Sequence, residues 1–113
     1  MSKRILIVDD EEDIREVAKV SLEMMRGWEV STAASGPEAI EMVRGSAPDA
    51  VLLDVMMPEM DGPTVVRRLR SDSATAEVPV VMLTAKVQAT DQALLADLDV
   101  SGGVIVAGYS MGA

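Results

Sequence analysis

Short, uninterrupted apolar runs recur along the chain and are typical of strands buried on both faces of a sheet. The predicted strands comprise residues 4–8, 29–33, 50–53, 78–83 and 103–106. Between them, apolar residues recur at the three- and four-residue spacing of amphipathic helices. The predicted helices comprise residues 13–26, a segment that opens at 35–38, and residues 64–71 and 88–97. Strands that alternate with helices indicate a parallel sheet with helices on both faces, and right-handed crossovers favour a doubly wound α/β sheet.

The composition fits one globular domain with an aliphatic core. The chain has 113 residues, of which 49% are hydrophobic, with one Trp, one Tyr and no Phe. The core must therefore be built from Val, Leu, Ile, Ala and the nine Met. A chain of this length buries roughly two thirds of its unfolded surface. We expect a single domain over residues 1–113.

Charge and missing residue types narrow the classes of function. The net charge is −9, which argues against direct binding of nucleic acid or of an anionic membrane. The absence of Cys and His excludes disulfides, Ser–His catalysis and imidazole metal sites within this chain. The first apolar run is too short for a signal peptide, and no run approaches the length of a membrane span. These features favour a cytoplasmic protein.

Polar residues that can carry chemistry lie at the ends of three predicted strands. Asp9 and Asp10 follow the first strand, Asp54 follows the third and Thr84 the fourth. Ligands of open α/β sheets bind beyond the carboxyl ends of the strands, where the strand order reverses. With strand order 2-1-3-4-5, the three carboxylates would share one pocket, which is costly unless a cation neutralises them. Hard oxygen ligands of this kind suit Mg²⁺.

Each of these residues also has a purely structural interpretation. The acids after the first strand can stabilise the start of a helix, and Asp54 can cap a turn. Thr84 can be an ordinary hydroxyl at a strand end. Their joint placement at three strand ends favours a functional pocket, and Asp10 can serve both purposes.

Three blocks of sequence resemble the signature blocks of bacterial response-regulator receiver domains. They are Ile-Leu-Ile-Val-Asp-Asp-Glu at 5–11, Leu-Leu-Asp-Val-Met-Met-Pro-Glu-Met-Asp-Gly at 52–62 and Pro-Val-Val-Met-Leu-Thr-Ala-Lys at 79–86. Their order and spacing also match, and the resemblance covers residues 3–102. It implies a flavodoxin-like, five-stranded parallel sheet of order 2-1-3-4-5.

The resemblance implies a role for each polar residue at the strand ends. Asp54 would be the nucleophile and phosphoacceptor, taking a phosphoryl group from a sensor histidine kinase or a phosphotransfer protein. Asp10, Asp54 and the backbone carbonyl of Met56 would hold Mg²⁺, and Asp9 would contribute through water. The metal would neutralise charge that builds on the phosphoryl oxygens. Thr84 would turn its hydroxyl toward the phosphorylated aspartate.

The last part of the chain departs from the family. The Lys-Pro pair after the fifth strand and the fifth helix are missing, and residues 103–113 form an atypical tail. The lysine position falls near Val106 and the aromatic switch position near Gly103. Loss of the helix would uncover apolar side chains, so we expect self-association, as a homodimer with exchange of a C-terminal element. Val20 and Met24 are candidate contacts.

Several functions stay open on the sequence. The first is a phosphoacceptor module, and the second is a Mg²⁺-dependent phosphatase of the haloacid-dehalogenase type, for which the second aspartate position holds Met56. The third is a degenerate receiver-fold interaction or dimerisation module without phosphotransfer. The pattern Gly-x-Ser-x-Gly at 108–112 also matches a hydrolase nucleophile elbow around Ser110, but the chain has no His to activate it. The sequence favours a phosphoacceptor over an enzyme.

Overall fold

A computed structural model describes residues 3–83 and the backbone of Val104–Ala107. Strands and helices alternate over residues 4–83. The elements are β1 (Arg4–Val8), α1 (Glu12–Arg26), β2 (Glu29–Ala33), α2 (Gly36–Ser46), β3 (Ala50–Asp54), α3 (Gly62–Arg70), β4 (Val80–Leu83) and β5 (Val104–Ala107). Thr84, the predicted helix at 88–97 and Ser110 lie outside the described residues.

The five strands form one parallel sheet. Its order is β2-β1-β3-β4-β5, which confirms the predicted topology. Ile5 of β1 pairs with Val30 of β2 on one side and with Ala50 of β3 on the other. Asp54, at the end of β3, pairs with Leu83 at the end of β4. The reversal of strand order therefore lies between β1 and β3, and the carboxyl ends of β1, β3 and β4 share one edge of the sheet.

Two aliphatic layers sandwich the central strands, because successive side chains of a strand point to opposite faces. The layer beneath α1 comprises Ile5, Ile7, Ala18, Leu22, Val30, Ala50, Leu52, Val81 and Leu83. The layer beneath α2 and α3 comprises Leu6, Val8, Ala33, Ala39, Val43, Val51, Leu53, Met57, Val65, Leu69, Val78 and Val80. Burial on both faces explains why these strands read as continuous apolar runs rather than as alternating patterns.

Two predicted element starts were wrong by two residues. The helix predicted from residue 64 begins at Gly62, because Asp61 is its N-cap and Pro63 is tolerated in its first turn. The strand predicted from residue 78 begins at Val80. The N–H of Val78 instead donates to the carbonyl of Thr75 in a turn, and Pro79 has no N–H to donate to a neighbouring strand.

Helix α1 buries some of its apolar side chains against the sheet and leaves others exposed. Ala18, Ser21 and Leu22 are buried. Val17 is 48% exposed, although its apolar side chain directly precedes the buried Ala18, and Met24 is 80% exposed. None of the helices in the described part of the chain has the length and apolar character needed to cross a bilayer.

Candidate functional site

The neighbouring strands β1 and β3 bring three predicted site residues together. Asp9 and Asp10 follow β1 directly, and Asp54 is the last residue of β3. One carboxylate oxygen from each of Asp9, Asp10 and Asp54 lies within 4.8 Å of the others. We call these three residues the acidic cluster. It lies where the strand order reverses, the place where doubly wound sheets bind ligands.

Burial makes the acidic cluster electrostatically costly. Asp9 is 1% exposed and Asp54 is 3% exposed, whereas Asp10 is partly open to solvent. Negative charges this close repel one another, and burial removes water that would screen them. A cation among them offsets both terms, because it interacts favourably with each ionised oxygen.

Hydrogen bonds from the chain orient two of these carboxylates. Asp9 Oδ1 accepts from the N–H of Glu11 at 2.8 Å, and Asp54 Oδ1 accepts from the N–H of Met56 at 3.1 Å. Both bonds span two residues, the geometry of an Asx turn. Each turn therefore directs an aspartate side chain beyond its own strand, toward the common edge of the sheet.

The loop between β3 and α3 packs tightly against Asp54. The N–H of Gly62 donates to the carbonyl of Val55 at 2.9 Å. A Cβ at Gly62 would lie 2.9 Å from Val55 Cα and 3.1 Å from the backbone oxygen of Asp54. Only glycine fits this approach without a shift of backbone, so Gly62 fixes the path of the loop beside Asp54.

The N-cap of α3 closes the same loop. Asp61 Oδ1 accepts from the N–H of Thr64 at 3.0 Å. Hydrogen bonds from the hydroxyl and the N–H of Thr64 hold the pKa of the Asp61 carboxyl below its usual range. Asp61 is therefore an ionised helix cap at the edge of the site.

The positively charged side chain of Arg15 lies near the acidic cluster and was not predicted to be part of the site. Arg15 Nη1 donates to the backbone oxygen of Asp9 at 2.8 Å. A basic residue in the second turn of an amphipathic helix is usually solvated, so the sequence pattern does not signal that Arg15 reaches back to the strand end.

The family comparison identifies this arrangement. The sequence model of the family described as "response regulator receiver domain" matches residues 5–104 of this chain. The chain belongs to the response-regulator receiver family. The receiver domain is similar to the response regulator PleD of Caulobacter vibrioides, with 52% identity over 87 residues that cover 75% of this chain and 18% of PleD. It is also 43% identical to the transcriptional regulator RpaA of Synechocystis, over 79% of this chain and 36% of RpaA.

Solved structures agree with this assignment. The N-terminal domain of a response regulator receiver protein from Methanoculleus marisnigri is 44% identical, with a TM-score of 0.71, and the match covers 74% of this chain and 67% of that chain. The receiver domain of the sensor histidine kinase PA1611 from Pseudomonas aeruginosa is 29% identical, with a TM-score of 0.69, over 75% of this chain and 69% of that chain. That structure has a magnesium ion coordinated in its active-site cleft.

The acidic cluster of this receiver domain fits Mg²⁺. Its donors are carboxylate oxygens, which are the hard ligands that Mg²⁺ prefers. Oxygens bound to one Mg²⁺ at about 2.0–2.1 Å lie up to roughly 4.2 Å apart. The spacing within 4.8 Å in the cluster is therefore close to what a single ion needs.

Proposed function

We propose that this receiver domain accepts a phosphoryl group on Asp54 from a phosphohistidine of a sensor histidine kinase or a phosphotransfer protein. The observation that carries the proposal is the convergence of Asp9, Asp10 and Asp54 at the point where the strand order reverses. Strand β3 lies between β1 and β4, so Asp54 stands between the two other acids and the end of β4, after which Thr84 follows.

The proposed metal site uses the oxygens nearest to Asp54. Asp10, Asp54 and the backbone carbonyl of Met56 would hold Mg²⁺, and Asp9 would contribute through water. When bound, Mg²⁺ supplies positive charge that offsets the charge building on the transferring phosphoryl group. The magnesium ion in the cleft of the PA1611 receiver domain supports Mg²⁺ as the ion.

The chemistry of transfer follows from a carboxylate at a strand end. An oxygen of Asp54 attacks the phosphorus, a P–O bond forms, and the P–N bond to the donor imidazole breaks. The imidazole nitrogen keeps the electron pair of the broken bond. The Asx turn with Met56 keeps the Asp54 carboxylate directed at the incoming group. In the same proposal, the hydroxyl of Thr84 donates to the phosphoryl oxygens once the acyl phosphate has formed.

This function makes the chain a cytoplasmic phosphoprotein with one receiver domain over residues 1–113, rather than an enzyme that turns over. The net charge of −9 argues against direct contact with nucleic acid. The chain spans 18% of PleD and 36% of RpaA, so an output activity of a longer protein is a separate question.

A phosphorylation assay with a small donor tests the proposal. The protein is incubated with Mg²⁺ and phosphoramidate or acetyl phosphate, and its intact mass is measured. We expect a gain of one phosphoryl group, stable in acid and labile in base, and no gain for Asp54→Asn. Asp49→Asn is the matched control, since Asp49 directly precedes the other end of β3 and the change in charge is the same. A gain in Asp54→Asn would place the acceptor elsewhere, and no gain in the wild type would leave an interaction module without phosphotransfer.

We also propose that the chain self-associates through α1. Val17, Val20 and Met24 are 48%, 51% and 80% exposed, and they lie on one face of the helix at a spacing of three and four residues. A second copy can cover the same face of its partner about a two-fold axis, which buries both stripes at once. The exchange of a C-terminal element stays a prediction, because residues 108–113 lie outside the described residues.

A further inference from the structure

The Arg15 side chain joins α1 to the end of β1. Its backbone N–H donates to the carbonyl of Glu11 at 3.1 Å, as helical geometry requires. Its side chain turns back across the first turn of the helix, and Nη1 reaches the backbone oxygen of Asp9, six residues earlier, at 2.8 Å. Arg15 is partly buried along this path. A charged donor on a backbone oxygen makes a stronger bond than a neutral one.

This bond acts on the peptide that links two members of the acidic cluster. The oxygen of Asp9 belongs to the Asp9–Asp10 peptide. The N–H of Asp9 donates to the carbonyl of Ala33 at 3.2 Å, and its Oδ1 accepts from the N–H of Glu11 at 2.8 Å. Three hydrogen bonds therefore hold the turn at Asp9 and Asp10: one to β2, one within the turn itself and one from Arg15 of α1. The orientation of this peptide sets the direction in which the Asp10 side chain leaves the chain.

We infer that Arg15 is a positioning residue for the metal: it fixes the Asp9–Asp10 peptide so that the Asp10 carboxylate stays within reach of Asp54, and it thereby raises the affinity for Mg²⁺. Asp10 needs such support because it is partly exposed, whereas packing holds Asp9 and Asp54. This inference rests on the proposed function, in which the acidic cluster binds Mg²⁺. Groups that orient metal ligands typically change affinity by about 10- to 100-fold when they are removed.

The positive charge of Arg15 acts in the opposite direction. A guanidinium repels a divalent ion, so loss of the charge alone would tighten Mg²⁺ binding. Salt weakens the repulsion, because the Debye length is about 8 Å at 0.15 M and shortens at higher ionic strength. A hydrogen bond that fixes geometry is far less sensitive to salt, so a change in affinity caused by positioning should persist at high salt. The sign of the change in affinity therefore distinguishes positioning from repulsion.

The test is calorimetric titration of Mg²⁺ into the wild type and three variants, at 0.15 M and 0.5 M KCl. We expect Arg15→Ala to weaken binding by about tenfold at both salt concentrations. Arg15→Lys should restore the affinity to within about threefold, because an ammonium can donate to the same oxygen. The matched control is Lys19→Ala, which removes one positive charge a turn further along α1, where Lys19 pairs with Glu23 at 2.6 Å. Its Mg²⁺ affinity should stay unchanged.

A kinetic measurement supplies the second readout. With phosphoramidate as donor, the Mg²⁺ concentration that gives half the maximal rate should rise about tenfold in Arg15→Ala, in line with the affinity. The maximal rate at saturating Mg²⁺ should change by less than about twofold, because a positioning residue touches neither the donor nor the reacting atoms. Thermal unfolding of both Arg15 variants verifies that they are folded.

The outcomes separate this inference from the proposed function. Equal or tighter Mg²⁺ binding by Arg15→Ala overturns the inference alone, as does a failure of Arg15→Lys to restore binding. A loss in Lys19→Ala equal to that in Arg15→Ala would show that the loss does not depend on the bond to Asp9, and it would also overturn the inference. A wild-type chain that binds no Mg²⁺ overturns the proposed function and the inference together.

Discussion

At the scale of single residues, the positions of the site acids could be predicted and the contacts that orient them could not. A fully apolar run that ends in an acid predicts a carboxylate at a strand end, and Asp9 and Asp54 lie there. The reach of Arg15 to Asp9 depends on a side-chain conformation, and the tight approach of Gly62 depends on the tertiary path of a loop. Neither leaves a periodic signal in the sequence.

The helix cap Asp61 gives the stability a dependence on pH. Its folded-state pKa lies below the unfolded value of 3.8 because Thr64 donates two hydrogen bonds to the ionised carboxyl. The contribution is therefore fully present above pH 3.8 and is lost as the pH falls through the lower folded-state pKa. In urea unfolding, we expect Asp61→Ala to be less stable than the wild type at pH 6 and the gap to narrow below pH 3.8.

Asp61→Asn is the matched control, because asparagine caps a helix without titrating in this range. Its stability relative to Asp61→Ala should stay constant across the same pH range. A gap between the wild type and Asp61→Ala that does not change with pH would contradict an ionised cap.

Ala47, the C-cap residue of α2, has a strained backbone. Its φ is 46° and its ψ is 64°, the left-handed conformation that glycine adopts at no steric cost. Ala47→Gly relieves a backbone strain of about 1–2 kcal/mol. The greater freedom of glycine in the unfolded chain offsets part of this gain, so we expect the free energy of unfolding to rise by about 0.5–1 kcal/mol. The reciprocal change Gly27→Ala, at φ 68° with open space around its Cβ position, should lower it by a similar amount. Chemical denaturation measures both, and a destabilised Ala47→Gly would contradict the strain.

At the scale of elements, apolar runs predicted strands well and polar boundaries less well. The second strand was predicted residue for residue at Glu29–Ala33. The start of α3 was missed by two residues because Pro63 reads as a loop residue and yet fits the first turn of a helix. Burial on α1 was also only partly predicted, since the spacing of apolar residues marks a face but not what covers it.

The close approach of α3 to β3 predicts that Gly62→Ala disturbs the loop between β3 and α3, which lies beside Asp54. The added Cβ would press on the backbone of Val55 and Asp54, which has no flexible side chain to give way. We expect a loss of about 1–3 kcal/mol in the free energy of unfolding, together with slower phosphorylation from phosphoramidate. Gly45→Ala is the control, since it lies within α2 with no atom within 4 Å of the new Cβ, and it should stabilise the chain. Equal effects of the two changes would contradict a specific contact at Gly62.

At the scale of the whole molecule, the exposed stripe on α1 is an apolar surface that the described part of the monomer leaves uncovered. Exposed apolar patches of a few hundred Å² are often functional, and interfaces below about 1,200 Å² in total are weak. By light scattering we expect the mass to rise from that of the 12.0 kDa chain toward a dimer across micromolar concentrations. Val20→Lys should keep the chain monomeric. Glu41→Gln makes the same change in net charge on α2 and should still allow the dimer to form. A wild type that stays monomeric would contradict self-association.

The sheet order was predictable because alternating strands and helices, right-handed crossovers and the receiver signature blocks all favour one arrangement. The same order explains the proposed function, since it brings the ends of β1 and β3 side by side and gathers the acidic cluster. The sheet topology thus brings residues that are far apart in the chain into one cluster.

Chemical trapping identifies the residue that carries the phosphoryl group. The protein is phosphorylated with Mg²⁺ and phosphoramidate and treated with borohydride, which reduces an aspartyl phosphate to homoserine, and the peptides are sequenced by mass spectrometry. We expect homoserine at position 54 and aspartate at positions 9 and 10. Homoserine at another position, or unmodified Asp54 in a protein that has gained a phosphoryl group, would contradict it.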